Sequence, residues 1–286
     1  MHKMIVLALL STTGVTLAVA QNRPTFDVVS IRRNTDAENQ RANVAAGVIL
    51  APVRPQIMPG GRLVATGISA TELIREAYGY QRRPPSDVTG GPGWIDAERY
   101  DVIATTSAQV GPAPPGGLPQ AIALRLQTTL AERFGLKVKT ETRERAIYEM
   151  VMARSDRTLG PRLVGAEGKC LGIYAEPKAG VPYCPFRLGG GEGFTTQNMT
   201  MPELAMFLSV FPAINTTVID RTNLPGSFDV SLRFRGAQQD LQPGGPTSEY
   251  PLLVDALPEQ LFLKLQRARG PVDVLVIEQI QRPTAN

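Results

Sequence analysis

The sequence has almost no histidine. The one histidine, His2, lies in the first twenty residues, which we predict to be removed from the mature protein. Without histidine the chain has no Ser-His-Asp or Cys-His arrangement for nucleophilic catalysis and no His-containing zinc site. We therefore predict no catalytic residue, no metal and no cofactor, and the sequence favours a non-enzymatic protein. Catalysis by paired carboxylates, or by lysine as a base, stays open.

Aromatic residues and clustered positive charge are also scarce. Aromatics make up 6% of the chain and the formal net charge is +4. The basic residues are scattered, and Arg32-Arg33 and Arg82-Arg83 are only pairs. Because nucleic-acid sites need clustered basic residues, we predict no nucleic-acid partner. The two arginine pairs are candidates for a positive rim that binds an acidic partner, or they are ordinary solvated surface.

Long apolar runs are missing after the N-terminus. Residues 1–20 contain Lys3, the apolar stretch Met4–Leu10 and the small residues Ala18-Val19-Ala20, which is typical of a secretory signal peptide cleaved before Gln21. A retained membrane anchor is the alternative, although the apolar stretch is short for a bilayer. We predict a periplasmic or secreted protein with no stable membrane span after cleavage.

Only two cysteines are present, Cys170 and Cys184. In an oxidising compartment a lone pair of cysteines favours a disulfide over a metal site, and two buried thiols are the alternative. Closing a loop of roughly fifteen residues stabilises a protein by about 3 kcal/mol on the chain-entropy model.

The chain also contains an internal repeat. Residues 61–79 resemble 192–210, which places Glu72 on Glu203, and residues 125–139 resemble 252–266. Repeated segments in the same order predict an internal duplication. We therefore predict an α+β fold of two related β-α-β-α-β units, each a small sheet covered by two helices.

Turn signals and composition set the boundaries of the two units. The first unit is predicted to cover 21–155 and the second 192–286, joined by the Gly/Pro-rich connector 156–191, which carries both cysteines. The first unit is predicted to close with two strands, Leu136–Thr142 and Ala146–Ala153. In the second unit, alternation around an Asn-Leu-Pro-Gly turn predicts that residues 217–219 and 228–234 form a hairpin.

Both units begin their first helix with the same sequence signal. A capping box is predicted at Ser69 with Glu72, and again at Thr200 with Glu203. The last helix of the second unit should be shorter or kinked because Pro258 lies inside it. At the end of that helix, Phe262 replaces the helix-ending glycine of the first unit.

Three strands carry an aromatic-Asp-Val motif, at Asp27, Asp101 and Asp229. The carboxylates are candidates for acid-base pairs or a cation site. The alternative, which we favour, is ordinary strand alternation with the aromatic and the valine inside and the aspartate outside. The single tryptophan, Trp94, lies in a glycine-rich turn and is either an exposed ligand platform or a core residue beside the turn.

Several segments together resemble a known family. They are FDVVSIRRN (26–34), GGPGWIDAERYDVIATT (90–106), VIDRTNLPGSFDVSL (218–232) and GPVDVLVIEQIQRP (270–283). The combination resembles the soil-associated family of exported bacterial proteins, which is named for a domain of unknown function. The resemblance implies export and no established activity or catalytic residues. Related domains attached to antirepressor metallopeptidases of the β-lactam-sensor type imply a sensing or docking role.

A weaker resemblance is to the short βα modules at the start of secretins and TonB-dependent transducers, carried by GFTTQNMTMPELAMFLS (193–209) and VDVLVIEQI (272–280). Such modules bind protein partners, often through sheet edges. We therefore expect an exported, non-enzymatic binding, adaptor or sensor protein. Its partner would be an envelope protein or peptide, such as a sensor metallopeptidase or a transporter. The alternative is a carboxylate-based envelope hydrolase acting on glycan or peptidoglycan.

Overall fold

The computed structural model describes residues 23–42, 53–111, 113, 117–175, 178–189, 193–235 and 250–284. The predicted signal peptide and its cleavage site before Gln21 lie outside the described residues.

The described residues form a mixed α+β structure, as the sequence predicts. The helices are α1 (Thr35–Ala42), α2 (Ala70–Ala77), α3 (Trp94–Ala97), α4 (Gln120–Arg133), α5 (Met201–Ser209) and α6 (Leu253–Ala256). Shorter turns are the 3₁₀ turns Tyr80–Arg82 and Pro85–Asp87 and the π-helical turn Leu257–Leu261. The strands are β1 (Val28–Arg33), β2 (Gln56–Met58), β3 (Arg62–Ile68), β4 (Val88–Gly90), β5 (Tyr100–Thr105), β6 (Lys137–Met152), β7 (Leu163–Gly165), β8 (Arg187–Leu188), β9 (Phe194–Thr200), β10 (Val218–Asp220), β11 (Ser227–Leu232) and β12 (Leu263–Gln279).

The first half of the chain builds an antiparallel sheet in the order β1-β5-β3-β2. Leu63 of β3, Tyr100 of β5 and Leu130 of α4 are fully or almost fully buried in one cluster, the first core. Tyr100 meets Phe134 edge to face, with ring centroids 5.7 Å apart. The apolar periodicity of α2 and α4 is thus used to cover one face of this sheet.

The second half builds an antiparallel sheet in the order β7-β11-β9-β8. Counted along the chain, its strands have the same order as those of the first sheet. Its core, the second core, contains Met199, Leu204, Leu208 and Leu257. Segment 156–191 supplies β7 and β8 to this sheet. The common strand order agrees with two related units, while their origin by duplication remains a prediction.

A third sheet, the shared sheet, joins the halves in the order β10-β6-β12-β4. The two long strands β6 and β12 run antiparallel along their whole length. The short strand β4 of the first half pairs in parallel with β12, and β10 of the second half pairs in parallel with β6. Each half therefore contributes a short strand that pairs with the long strand of the other half. The sequence did not predict this pairing.

Two predictions about strands are wrong. The two closing strands predicted for the first unit, 136–142 and 146–153, are one continuous strand, β6. The hairpin predicted for 217–219 and 228–234 does not form, because β10 pairs with β6 while β11 pairs with β7 and β9. Alternation within a segment shows that it is a strand but contains no information about a partner far away in the chain.

The helix signals are confirmed. The Ser69 hydroxyl accepts a hydrogen bond from the Glu72 amide, and Thr200 and Glu203 form the same capping box. In the second half, α6 has only four residues before the π-helical turn that contains Pro258. The prediction of a shortened last helix is therefore correct.

Candidate functional site

The three repeated aspartates hold backbone turns. Asp101 accepts hydrogen bonds from the Gly67 amide at 2.9 Å and from the Asn34 side chain at 2.8 Å. Asp229 accepts from the Asn198 amide at 3.0 Å, and the register of each strand pair shifts at Gly67 or Asn198. Both residues have positive φ angles, 68° and 52°. These two aspartates therefore stabilise β-bulges.

The third aspartate is bound locally as well. Asp27 accepts a hydrogen bond from the Ser107 amide at 2.6 Å. This backbone hydrogen bond is the main cause that lowers the pKa of the Asp27 carboxyl below its ordinary value. Each of the three carboxylates thus has its own backbone partner. The predicted alternation is present at Asp101 and Asp229, where the neighbouring aromatic and valine are buried, but not at Asp27, because Val28 is 64% exposed.

Trp94 packs against the first core as a partly buried residue. The guanidinium of Arg282 lies 5.4 Å from the centre of its ring and binds Glu98 with hydrogen bonds of 2.8 and 3.0 Å. The outer face of the tryptophan is therefore covered by the C-terminal segment. The geometry supports an anchoring role more than an exposed ligand platform.

The arginine candidates are separated in the structure. Arg33 forms an ion pair with Glu38 at 2.9 Å, and Arg32 is exposed on β1 at the level of Asp101. Arg83 lines a cavity. The Arg82 side chain is outside what the structure describes. The predicted positive rim is therefore reduced to Arg83 as a site candidate.

The predicted disulfide is present between Cys170 and Cys184, whose Cα atoms are 5.0 Å apart. The carbonyl of Cys170 accepts a hydrogen bond from the Asn198 side chain. The disulfide loop is thus attached to β9 at the bulge of the second sheet.

A cavity of about 490 Å³ lies between the two halves, and we call it the inter-unit groove. Its size is in the range of small-ligand sites. Its lining residues come from both halves and from the shared sheet: Arg83, Pro84, Asp87, Thr142, Met206, Ser209, Thr217, Val218, Pro271, Val272 and Asp273.

The chain after α2 forms one wall of the groove. Arg75 of α2 donates hydrogen bonds to the carbonyls of Arg83, at 2.6 Å, and Pro84, at 3.2 Å. The Arg83 guanidinium lies 4.8 Å from the Tyr80 ring centre and donates to the Asp273 carbonyl at 3.0 Å. These contacts place a fixed positive charge at the groove.

A buried carboxylate, Asp87, lies in the same wall with 2% of its surface exposed. Burial raises the pKa of its carboxyl above the ordinary value, and the charges of Arg83, Arg145 and Arg75 partly oppose this shift. The side chain of Thr217, from the second half, also opposes the shift. Asp87 therefore lies where the two halves meet at the groove.

The floor of the groove is the middle of the shared sheet. The pairs Val138–Ile277 and Met150–Leu265 lie on one face of this sheet and contact the first and the second core. Between them, the same face exposes eight residues, of which Thr142, Pro271 and Asp273 line the groove: Thr140, Thr142, Glu144, Ala146, Arg267, Arg269, Pro271 and Asp273. Both cores thus cover the ends of one sheet face and leave its centre open.

The floor carries both charge signs and hydrogen-bonding groups. The Thr142 hydroxyl donates to the Asp273 carboxylate at 2.7 Å. No group of His, Cys, Asp or Glu that could hold a metal occurs among the described residues. Among the site candidates from the sequence whose side chains the structure describes, only Arg83 lines the inter-unit groove. Asp87, Thr142 and Asp273 were missed because they belong to no motif and meet only through long-range pairing.

In the part of the chain that the structure describes, no helix is long and apolar enough to cross a membrane. Searches of curated proteins and of solved structures found no match to this chain. A family model described as a protein of unknown function, DUF3738, matches residues 71–280. That match includes the first half from α2 onward, the second half, the shared sheet and the groove, and the chain therefore belongs to the DUF3738 family.

Proposed function

We propose that this protein is an exported, non-enzymatic binding protein of the adaptor or sensor type, and that it holds a peptide segment of an envelope partner in the inter-unit groove. The observation that carries the proposal is the open face of the shared sheet at the groove, where Asp273, Pro271 and Arg83 bring acidic, apolar and basic side chains together. A peptide offers the same mixture of groups.

The floor has the dimensions of a short extended peptide. The pairs Thr142–Asp273, Glu144–Pro271 and Ala146–Arg269 follow one another on one face. From Thr142 to Ala146 they cover roughly 13 Å, since a strand advances about 3.3 Å per residue. About four residues of an extended chain fit along this length. A carboxylate at one end and an arginine at the other would orient the peptide by its charges.

Location and partner class rest on sequence arguments. The disulfide suits an oxidising compartment, and the resemblance to exported soil-associated proteins supports export. We propose a periplasmic or secreted protein whose partner is an envelope protein, with a sensor metallopeptidase or a transporter as the first candidates.

Filling the groove tests the proposal. Thr142 is exposed and lines the groove, and Ala108 is exposed outside it, so Thr142→Trp blocks the groove and Ala108→Trp is a control that adds the same side chain elsewhere. We expect a pool of hexapeptides with free termini to shift the NMR amide signals of Asp273 and Thr217 saturably. The shifts should persist in Ala108→Trp and be lost in Thr142→Trp. Peptide-induced shifts that are equal in both variants would refute a site in the groove.

A carboxylate-based hydrolase is the second candidate, because Asp87, with its raised pKa, and Asp273 line the same groove. Glycan hydrolysis needs one protonated and one ionised carboxyl group. The test is release of reducing ends from peptidoglycan fragments. Activity in the wild type that is lost in both Asp87→Asn and Asp273→Asn, but kept in Ala108→Trp, would replace the binding proposal.

A further inference from the structure

A second and larger cavity of about 750 Å³ lies beside α4, and we call it the α4 groove. It shares no lining residue with the inter-unit groove. Its walls come from the start of the described chain, from the end of α2, from α4 and from the start of β6. They are lined by Arg23, Pro24, Tyr78, Leu124, Gln127, Thr128, Ala131, Leu136, Lys137 and Val138.

Three hydrogen-bond donors in this groove lack a partner within the described chain. No ion pair and no side-chain hydrogen bond joins Arg23, Lys137 or the Tyr78 hydroxyl to another described residue. Burial raises the pKa of the Tyr78 hydroxyl, and the charge of Arg23 acts against that shift. The hydroxyl therefore stays protonated and can donate. Two cations and one neutral donor around one cavity form a site for an anion.

The rest of the lining is mainly aliphatic. Leu124 is 40% exposed on the outer side of α4, and Ala131, Leu136 and Val138 continue the apolar surface. No carboxylate is among the lining residues. A bare inorganic anion would use the cations and leave this apolar surface in water. An anion attached to an aliphatic chain would use both parts.

We propose that the α4 groove binds the anion of a medium-chain fatty acid. Its carboxylate lies between Arg23 and Lys137 and accepts the Tyr78 hydroxyl, and its chain lies along α4 against Leu124. This site is independent of the peptide proposed for the inter-unit groove, and either can fail without the other.

Calorimetric titration of the full mature protein tests the site with four probes. Octanoate has both charge and chain, octan-1-ol lacks the charge, acetate lacks the chain and octylamine has the opposite charge. We expect octanoate to bind saturably at one site, and each of the other three probes to bind at least about 10-fold more weakly.

Variants separate the two parts of the site. The double variant Arg23→Gln/Lys137→Gln should weaken octanoate binding by about 10-fold or more. The double variant Arg62→Gln/Arg187→Gln is the matched control, because it removes the same charge at two exposed residues that line neither groove. It should leave the affinity within about 2-fold. Leu124→Asn should reduce the advantage of octanoate over hexanoate, which reports the chain contact.

Three results would overturn the proposal: octan-1-ol binding as tightly as octanoate, non-saturable uptake of octanoate, or equal octanoate affinity in the wild type and the Arg23/Lys137 variant. If that double variant does not fold, the Leu124→Asn comparison decides, since Leu124 is exposed and its replacement leaves the core intact. An unchanged octanoate-to-hexanoate ratio in Leu124→Asn would then reject the site.

Discussion

The two halves of the molecule enter their long strands through the same backbone conformation but with different residues. In the first half, α4 is followed by Phe134 and then Gly135, whose φ angle is 57°. In the second half, the π-helical turn is followed by Phe262, whose φ angle is 56°. Glycine adopts this left-handed conformation easily, whereas phenylalanine is strained in it. The Arg154 guanidinium lies 4.8 Å from the centre of the Phe262 ring.

The two β-bulges likewise share a backbone conformation that different residues adopt. Gly67 in the first half and Asn198 in the second have positive φ angles, and Asp101 and Asp229 hold their amides. Asn198 additionally bonds to Cys170 and to the Ser227 hydroxyl. The halves thus share the backbone conformation at these positions, although the residues there differ.

The largest effect is expected from a cavity in each core, which tests whether the two halves are equivalent. Leu130 and Leu257 occupy corresponding positions and are fully buried. Leu130→Ala and Leu257→Ala should each lower the free energy of unfolding by about 2–5 kcal/mol. Since the shared sheet couples the halves, urea unfolding followed by circular dichroism should show a single transition in both variants. Two separated transitions in Leu257→Ala would mean that the halves unfold independently.

Exchange at the two left-handed positions gives smaller effects of unequal size. Gly135→Ala should destabilise by about 1–2 kcal/mol, because the residue has a positive φ and its added Cβ would approach Gln281 to 3.2 Å. Phe262→Gly relieves backbone strain of about 1 kcal/mol but loses the contact with Arg154. Its change in the free energy of unfolding should therefore be clearly smaller. Equal destabilisation by both substitutions, measured by urea unfolding, would show that the two turns are not equivalent.

The smallest expected effect concerns Asp87, which precedes β4 as Thr217 precedes β10. Because burial raises the folded-state pKa of Asp87, its contribution to stability is fully present below the unfolded pKa, near 4. That contribution decreases as the pH rises through the higher folded value. Asp87→Asn should therefore gain stability relative to the wild type as the pH rises from about 4 to about 7. Urea midpoints at several pH values measure this difference. A constant difference at every pH would exclude titration of Asp87 in this range.

Local signals predicted the parts of the fold that depend on neighbouring residues. The capping boxes at Ser69 and Thr200, the shortened helix at Pro258 and the Cys170–Cys184 disulfide follow from spacing and side-chain chemistry. The sequence predicts two strands in place of β6, because Arg143, Glu144 and Arg145 interrupt the apolar alternation. In the structure, Arg143 and Arg145 bind Glu141 and the Ser86 carbonyl, so the charged stretch remains in the sheet.

The candidate sites depend on pairing that the sequence does not contain. Thr142 meets Asp273 only because β6 and β12 pair in one register. Asp87 meets Thr217 only because each half sends a strand to the opposite edge of the shared sheet. Tyr78 and Lys137 likewise meet beside α4 only after the first core has formed. A search for motifs cannot find such sites, since their residues are ordinary in their local surroundings.

The pairing of β6 with β12 also affects how the chain can fold while it is being synthesised. β6 leaves the ribosome long before β12, whose final residue Gln279 pairs with the first residue of β6, Lys137. Until then, the first half has a sixteen-residue strand without its long antiparallel neighbour. Pairing between such distant segments is slow, and exposed strand edges are prone to aggregate. A nascent chain of this protein should therefore expose the edge of β6 until β12 has been made.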